Sequence, residues 1–175
     1  MSQAEHDPLA ASVLVTDSAD VVERVQTELN RQLEVAKHRE RIHEAFTGSQ
    51  SGILLVESRA DMVRAANVYA GEHVEVMVED PQEFARELRH GGTIFIGDYS
   101  PVALGDYCSG SNHVLPTSGT AAHASPLGVH SFMKSSQVVT YTRDGLLDVA
   151  DHIETLAEAE NLPAHGYAVH LRRES

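Results

Sequence analysis

The sequence predicts an α/β fold: a partial Rossmann-like parallel sheet with crossover helices, followed by a small C-terminal helical appendage. Short apolar runs alternate with longer amphipathic segments from residue 12 to residue 97, which is typical of parallel strands joined by helices. Residues 98–127, rich in Gly, Ser, Pro and Thr, then interrupt this alternation. We therefore predict an α/β domain over residues 1–130 and an appendage over residues 131–175.

Two apolar runs separated by helical spacing open the α/β pattern. Residues 12–16 (SVLVT) are a short apolar run and are predicted to form a buried strand. Residues 19–46 carry apolar side chains at helical spacing and predict one helix, which Gly48 and Ser49 end. Residues 51–57 (SGILLVE) predict the second strand.

A capping motif and a glycine bound the next helix. Ser58, with Asp61 three residues later, resembles a capping box at a helix start. The helical spacing continues to Tyr69, and Gly71 follows as a residue suited to the left-handed conformation that often closes a helix. A helix from Ser58 to this glycine is predicted.

Two further strands flank a short helix. Residues 73–79 (HVEVMVE) alternate apolar and polar, and residues 93–97 (TIFIG) are apolar, so each predicts a strand. Between these strands, Asp80 is predicted to be the N-cap of a helix and Pro81 its first residue. The helix is predicted to run to His90.

The amino-acid composition changes after residue 97. Residues 98–127 predict a long loop, and loops of this length in compact domains are usually functional or disordered. Residues 138–142 suggest another strand, and residues 144–160 predict an amphipathic helix. The tail from Pro163 is predicted to be helical.

Composition limits the classes of partner. The net charge of −13 disfavours a nucleic-acid backbone as partner. No apolar run approaches the roughly 20 residues that a membrane span needs. The single cysteine, Cys108, cannot form an internal disulfide, and no basic-then-apolar leader is visible. We therefore expect a cytoplasmic protein without nucleic-acid or membrane partners.

Eleven histidines occur in 175 residues, and position must separate reactive histidines from solvated ones. Four clusters hold the candidates: Gln3 with His6, Glu72 with His73, Asp106 with His113, and Glu160 with His165. The first pair has the i,i+3 spacing that puts both side chains on one helical face, where they could bind a metal or be surface polarity.

Each other cluster also has two interpretations. Adjacent Glu72 and His73 could act as a base and its proton-transfer partner, or be a helix-ending carboxylate beside a surface histidine. Asp106 and His113 lie among residues that favour turns. Glu160 and His165 could be no more than a solvated helix end. The residues alone leave these alternatives open.

Longer blocks around these clusters carry a family resemblance. Residues 105–117 (GDYCSGSNHVLPT) resemble the signature segment of the histidinol dehydrogenase family. Three further blocks match the family in order and spacing: residues 2–8 (SQAEHDP), 69–75 (YAGEHVE) and 157–169 (AEAENLPAHGYAV). The resemblance covers essentially the whole chain.

The resemblance implies roles for the candidate residues. The implied zinc ligands are Gln3, His6, Asp106 and His165, and the implied proton-transfer residues are Glu72 and His73. Implied substrate contacts are Gln3, His6, His73, Asp106, His113, Glu160 and His165. The implied assembly is a homodimer in which Glu160 and His165 reach the partner's site, so residues 131–175 would serve dimerisation and the active site.

The implied reaction is the two-stage oxidation of L-histidinol to L-histidine through an enzyme-held aldehyde, the end of histidine biosynthesis. NAD would take a hydride in each stage and zinc would orient the substrate. Family members exceed four hundred residues, and no GxGxxG follows a strand here. We therefore expect the cofactor-binding residues upstream of this chain and no dehydrogenase activity from the 175 residues alone.

Two departures from the common family text are present. Ala122-His123 replaces an Arg-Phe pair, and His130-Ser131 replaces Tyr-Asp, neither of which touches the residues named above. Two other functions stay open: a family paralogue that oxidises another small polar alcohol, and a non-catalytic zinc-binding or dimerisation fragment. The paralogue is disfavoured because the implied substrate contacts His113 and Glu160 are retained. An NAD titration would distinguish the oxidoreductase from the non-catalytic fragment.

Overall fold

A computed structural model describes residues 1–173 and divides into two compact units, Met1–Phe132 and a second that begins at Met133. The helices are α1 (Ser2–His6), α2 (Ala19–Val35), α3 (Arg39–Thr47), α4 (Arg59–Tyr69), α5 (Pro81–Glu87), α6 (Val102–Tyr107), α7 (Arg143–Ala159) and α8 (Pro163–Arg173). The strands are β1 (Val13–Thr16), β2 (Gly52–Leu55), β3 (His73–Val76) and β4 (Thr93–Ile96). Short 3₁₀ helices span Thr120–Ala122 and Val129–Phe132.

The strands form two parallel pairs, which confirms the predicted α/β class with parallel strands. β1 pairs with β2, and β3 pairs with β4, with His73 opposite Thr93 and Glu75 opposite Phe95. Helices α2 and α3 connect the first pair and α5 connects the second, as parallel strands require a crossover. Among the described residues the two pairs are separate two-stranded sheets, because no strand hydrogen bonds join β1 or β2 to β3 or β4.

The one long helix predicted over residues 19–46 is wrong, because the chain breaks between α2 and α3. Ala36 adopts an extended conformation (φ −70°, ψ 135°) and ends α2. The break lets α3 turn its apolar face toward α1, where Ile42 and Ala45 are buried against Ala4. Tertiary burial therefore overrides a continuous helical spacing in the sequence.

The predicted capping box at Ser58 is confirmed, whereas two other helix ends differ from the prediction. The Ser58 hydroxyl accepts the Asp61 amide hydrogen at 3.2 Å and hydrogen-bonds the Asp61 carboxylate at 2.7 Å. At the other end of α4 the left-handed residue is Ala70 (φ 50°), one residue before the predicted Gly71. Asp80 is itself left-handed (φ 53°), and its side chain makes no cap hydrogen bond.

Helix α5 ends at Glu87 rather than at the predicted His90. The Asn67 side chain on α4 accepts the amide hydrogens of Arg89 and His90 at 2.6 and 3.2 Å and donates to the Glu87 carbonyl at 3.1 Å. These bonds satisfy backbone groups that a further helical turn would otherwise satisfy, so the chain can leave the helix here.

The core of the first unit lies between α4, α5 and β3. Met62, Val76, Phe84 and Leu88 are buried together there. The first strand was predicted to be buried, and this is confirmed only at its last residue: Thr16 is buried, but Val13 is 40% exposed. All four residues of β2 are exposed as well.

The second unit is a helical hairpin preceded by an extended segment. The strand predicted over residues 138–142 is wrong: Val138 and Val139 are 90% and 76% exposed, and within residues 1–173 no strand pairs with this segment. The predicted helices over residues 144–160 and from Pro163 are confirmed as α7 and α8, which pack through Ala150, Ala157 and Val169. Within residues 1–173, no helix is both long and apolar enough to cross a bilayer.

Candidate active site

Backbone pairing fixes Glu72 and His73 at the start of β3. The Glu72 carbonyl accepts the Thr93 amide hydrogen at 2.8 Å, and the Gly71 carbonyl accepts that of Gly92 at 2.9 Å. A Cβ at Gly92 would lie 2.5 Å from the Glu72 carbonyl oxygen, so only glycine permits this close strand approach. Both side chains are half-buried, which leaves them partly open to a substrate.

The structure brings Gln3 to His73 from 70 residues away. His73 Nδ1 lies 3.2 Å from Gln3 Oε1, and the imidazole faces the Phe95 ring at 6.1 Å between centroids. Helix α1 holds Gln3 there because Ala4 is buried against α3 and the Arg41 guanidinium donates to the Glu5 carbonyl at 3.3 Å. The hydrogen bond to the Gln3 amide orients the imidazole.

Asp106 belongs to helix α6, not to the long loop that the sequence predicted. The helix begins after Pro101, and the carboxylate of Glu75 on β3 accepts the Val102 amide hydrogen at 3.0 Å. Gly105 faces the Phe95 ring so closely that a Cβ would lie 2.6 Å from its Cζ. The local turn composition of residues 98–127 conceals this helix, since both contacts come from distant strands.

The remaining candidates of the first unit are exposed. His6 ends α1, Asp106 lies in α6, and His113 follows an Asx turn in which the Asn112 side chain accepts the Val114 amide hydrogen at 2.6 Å. Over residues 1–173, no group of three or more His, Cys, Asp or Glu side chains is arranged to hold a metal ion. Gln3 with His73 is therefore the candidate pair that direct contact joins.

The second unit carries Glu160 and His165 at the turn between α7 and α8. Glu160 is the C-cap of α7, Asn161 is left-handed (φ 56°), and His165 lies in the first turn of α8. Both candidate side chains are exposed. The departures Ala122-His123 and His130-Ser131 lie in or beside the two 3₁₀ helices, also with exposed side chains.

Four residues that organise this site were not singled out from the sequence: Glu75, Phe95, Gly92 and Gly105. Only Glu75 carried a usable signal, because the alternation of HVEV places it on the same face as His73. An open groove of about 630 Å³ lies instead between α2 and α3, lined by residues such as Asn30, Arg39 and His43. The residues that line this groove include none of the candidate residues.

Comparison with known proteins identifies the family. The family model for histidinol dehydrogenase matches residues 1–173. Histidinol dehydrogenase of Thermobifida fusca (strain YX) is 57% identical over 172 residues, 98% of this chain and 39% of the relative. The Nocardia farcinica (strain IFM 10152) enzyme is 51% identical over 175 residues, again 39% of its length.

A solved structure agrees with the sequence relatives. The crystal structure of histidinol dehydrogenase from Elizabethkingia anophelis superposes with a TM-score of 0.90 at 31% identity, over 99% of this chain and 40% of that one. The chain thus spans about 39% of the length of the curated relatives it matches. With the family model matching almost every residue, the chain belongs to the histidinol dehydrogenase family.

Proposed function

We propose that this chain supplies the proton-transfer and zinc-binding residues for the oxidation of L-histidinol to L-histidine through histidinal, with NAD as the hydride acceptor. One observation carries the proposal: in a chain of this family, His73 lies at the start of a strand that is hydrogen-bonded to β4, and its ring is hydrogen-bonded to Gln3. A histidine oriented in this way is suited to accept a proton from an alcohol.

The Gln3 contact supports different roles for the two ring nitrogens of His73. An amide oxygen only accepts hydrogen bonds, so Nδ1 carries the hydrogen when it meets Gln3 Oε1. Nε2 then has a free lone pair and acts as the base toward the substrate hydroxyl. The Phe95 ring lies on one side of the imidazole, tilted by 45°.

Glu72 serves the second oxidation in this proposal. A carboxylate can take a proton from water as the water attacks the aldehyde carbon, which forms the hydrate that the second stage oxidises. The backbone of Glu72 is fixed by Thr93 and by the close approach of Gly92, while its side chain is half-buried. A fixed backbone reduces the range of positions that the carboxylate samples.

The donor chemistry of the chain fits zinc. Gln3 and His6 have the i,i+3 spacing on α1, and Asp106 and His165 add a carboxylate and an imidazole. Nitrogen and carboxylate oxygen are common zinc donors, and the second lone pair of Gln3 Oε1 remains available beside His73. When bound, zinc would orient the amine and imidazole of the substrate.

The residues described here do not fit NAD. No glycine-rich turn joins a strand to a helix N-terminus in the part of the chain that the structure describes. The role of NAD in the proposal rests on the family alone. The single exposed cysteine, Cys108, fits the reducing cytoplasm in which we place the reaction.

The two units are assigned different tasks. We propose that residues 1–130 form the catalytic α/β domain, with His113 contacting substrate beside the zinc and proton-transfer residues. Residues 131–175 would serve dimerisation, with Glu160 and His165 contributed to the partner's site in a two-fold homodimer. The family resemblance supports this arrangement, as do the exposed positions of both side chains at a helical turn.

Glu72→Gln in the full-length enzyme tests the acid–base assignment. We expect histidinal oxidation to fall by about 10²–10⁴-fold, the usual contribution of a general base. Glu79→Gln is the matched control, because Glu79 is an exposed carboxylate just beyond β3. Stopped-flow measurement of NADH formation from histidinal decides, and normal turnover by Glu72→Gln would remove Glu72 from the base role.

Mixed dimers test the position of His165. If His165 acts in the partner's site, a dimer of one Asp106→Ala and one His165→Ala subunit has one site with both lesions and one intact site. Activity should then return on subunit exchange although each parent is nearly inactive. Verified exchange without recovered activity would place His165 in its own subunit's site.

A further inference from the structure

We infer that Glu75 is a positioning residue of this site: its carboxylate anchors helix α6, and thereby Asp106, to the strand that begins with His73. The inference rests on the proposed function, in which Asp106 is a zinc ligand. Glu75 has no part in the proton transfers or in the ligand set proposed above. Its role follows from three contacts.

The first contact caps the N-terminus of α6. The N-cap position is Pro101, whose side chain cannot accept a hydrogen bond, and the structure gives α6 no cap from its own segment. Glu75 Oε1 instead accepts the Val102 amide hydrogen at 3.0 Å across 27 residues of sequence. A carboxylate bound to a backbone amide is among the stronger hydrogen bonds in proteins.

The second contact lies beside the first on the same strand pair. Glu75 is opposite Phe95 in the β3–β4 register, so both side chains are on one face of the pair. Phe95 is 7% exposed and packs under Gly105, where the missing Cβ lets the helix approach the ring. Helix α6 is therefore held at its start by Glu75 and at its flank by Phe95, with Asp106 directly after the flank contact.

The third contact joins α1 to the strand that carries Glu75. His73, two residues earlier on the same face of β3, contacts Gln3 of α1. One strand thus links the helix of Gln3 and His6 with the helix of Asp106.

The test compares Glu75→Ala, Glu75→Gln and the control Glu79→Ala in the full-length protein. Hydrogen–deuterium exchange of the peptide over residues 101–108 measures the anchoring of α6. Competition with a zinc chelator measures the dissociation constant for zinc. Glutamine keeps an oxygen that accepts the Val102 amide hydrogen, so it separates the hydrogen bond from the charge.

We expect Glu75→Ala to speed exchange in residues 101–108 and to weaken zinc binding, each by about tenfold, which corresponds to one lost hydrogen bond. Glu75→Gln should restore most of both losses, and Glu79→Ala should match wild type. Wild-type zinc affinity in Glu75→Ala would overturn the inference even if exchange increased. Unchanged exchange would overturn it as well.

The two proposals fail separately. If the wild-type protein binds no zinc, the proposed ligand set is wrong, and the exchange experiment alone decides whether Glu75 anchors α6. If wild type binds zinc and Glu75→Gln is as impaired as Glu75→Ala in both measurements, the anchoring hydrogen bond is not what matters. That result also overturns the inference.

Discussion

Replacing Gly92 with alanine tests how the site is built, because Gly92 is where β4 comes closest to the backbone of Glu72. The new Cβ would lie 2.5 Å from the Glu72 carbonyl oxygen and 3.2 Å from the Glu72 carbonyl carbon and Cα. The first distance is about 1 Å inside ordinary van der Waals contact. Backbone atoms cannot rotate away as a flexible side chain can, so the strands must separate.

The cost can be worked out from the bonds at this point. Separation strains the hydrogen bonds from Gly92 to Gly71 and from Thr93 to Glu72, each worth about 0.5–1.5 kcal/mol net. Loss of backbone freedom in the unfolded chain returns about 0.4–1 kcal/mol on a glycine-to-alanine change. We expect Gly92→Ala to lower the free energy of unfolding by about 1–2 kcal/mol. A displacement of about 1 Å at Glu72 and His73 should also lower turnover about 10²-fold.

Urea unfolding of Gly92→Ala and Gly52→Ala measures this cost. Gly52 is the matched control, because it also lies in a strand region and its Cβ would meet nothing within 4 Å. Gly52→Ala should leave stability unchanged or raise it by up to about 1 kcal/mol. Equal free energies of unfolding for Gly92→Ala and wild type would refute the claim that this approach of the two strands requires glycine.

Three further predictions concern single contacts. Gly105→Ala should lower the free energy of unfolding by about 1 kcal/mol, since overpacking against Phe95 outweighs the gain in helix propensity. Phe95→Leu should relieve this overpacking, and a double-mutant cycle by urea unfolding that yields no coupling would contradict the prediction. Asn67→Ala should cost about 1–2 kcal/mol because the Arg89 and His90 amides lose their acceptor, whereas Asn30→Ala on α2 should be neutral by the same measurement. The Arg173 guanidinium lowers the pKa of Asp151, so the ion pair stabilises the folded state above the ordinary carboxyl pKa, and this stabilisation is lost as the pH falls toward the lowered value. The thermal unfolding midpoint of Asp151→Asn should therefore fall less than that of wild type between neutral and acidic pH. An unchanged pH profile would count against the ion pair.

The sequence predicted the elements whose signals are local. The alternation of HVEVMVE, the capping motif at Ser58 and the amphipathic spacing of residues 144–160 all depend on neighbours within a few residues, and each appears in the structure. The candidate residues followed from the family resemblance of four blocks. Local signals failed where distant contacts intervened: helical spacing continued through Ala36, and valines at 138 and 139 suggested a strand without a partner.

The α/β class, most of the element positions and the family membership can be read from the amino-acid sequence. Three contacts became visible only in the folded chain: Gln3 with His73, Glu75 with the start of α6, and Phe95 with Gly105. The physical reason is the range of the interactions. Periodicity and caps act within one or two turns of chain, whereas these contacts join residues 10 to 70 positions apart and exist only once the strands and helices have packed.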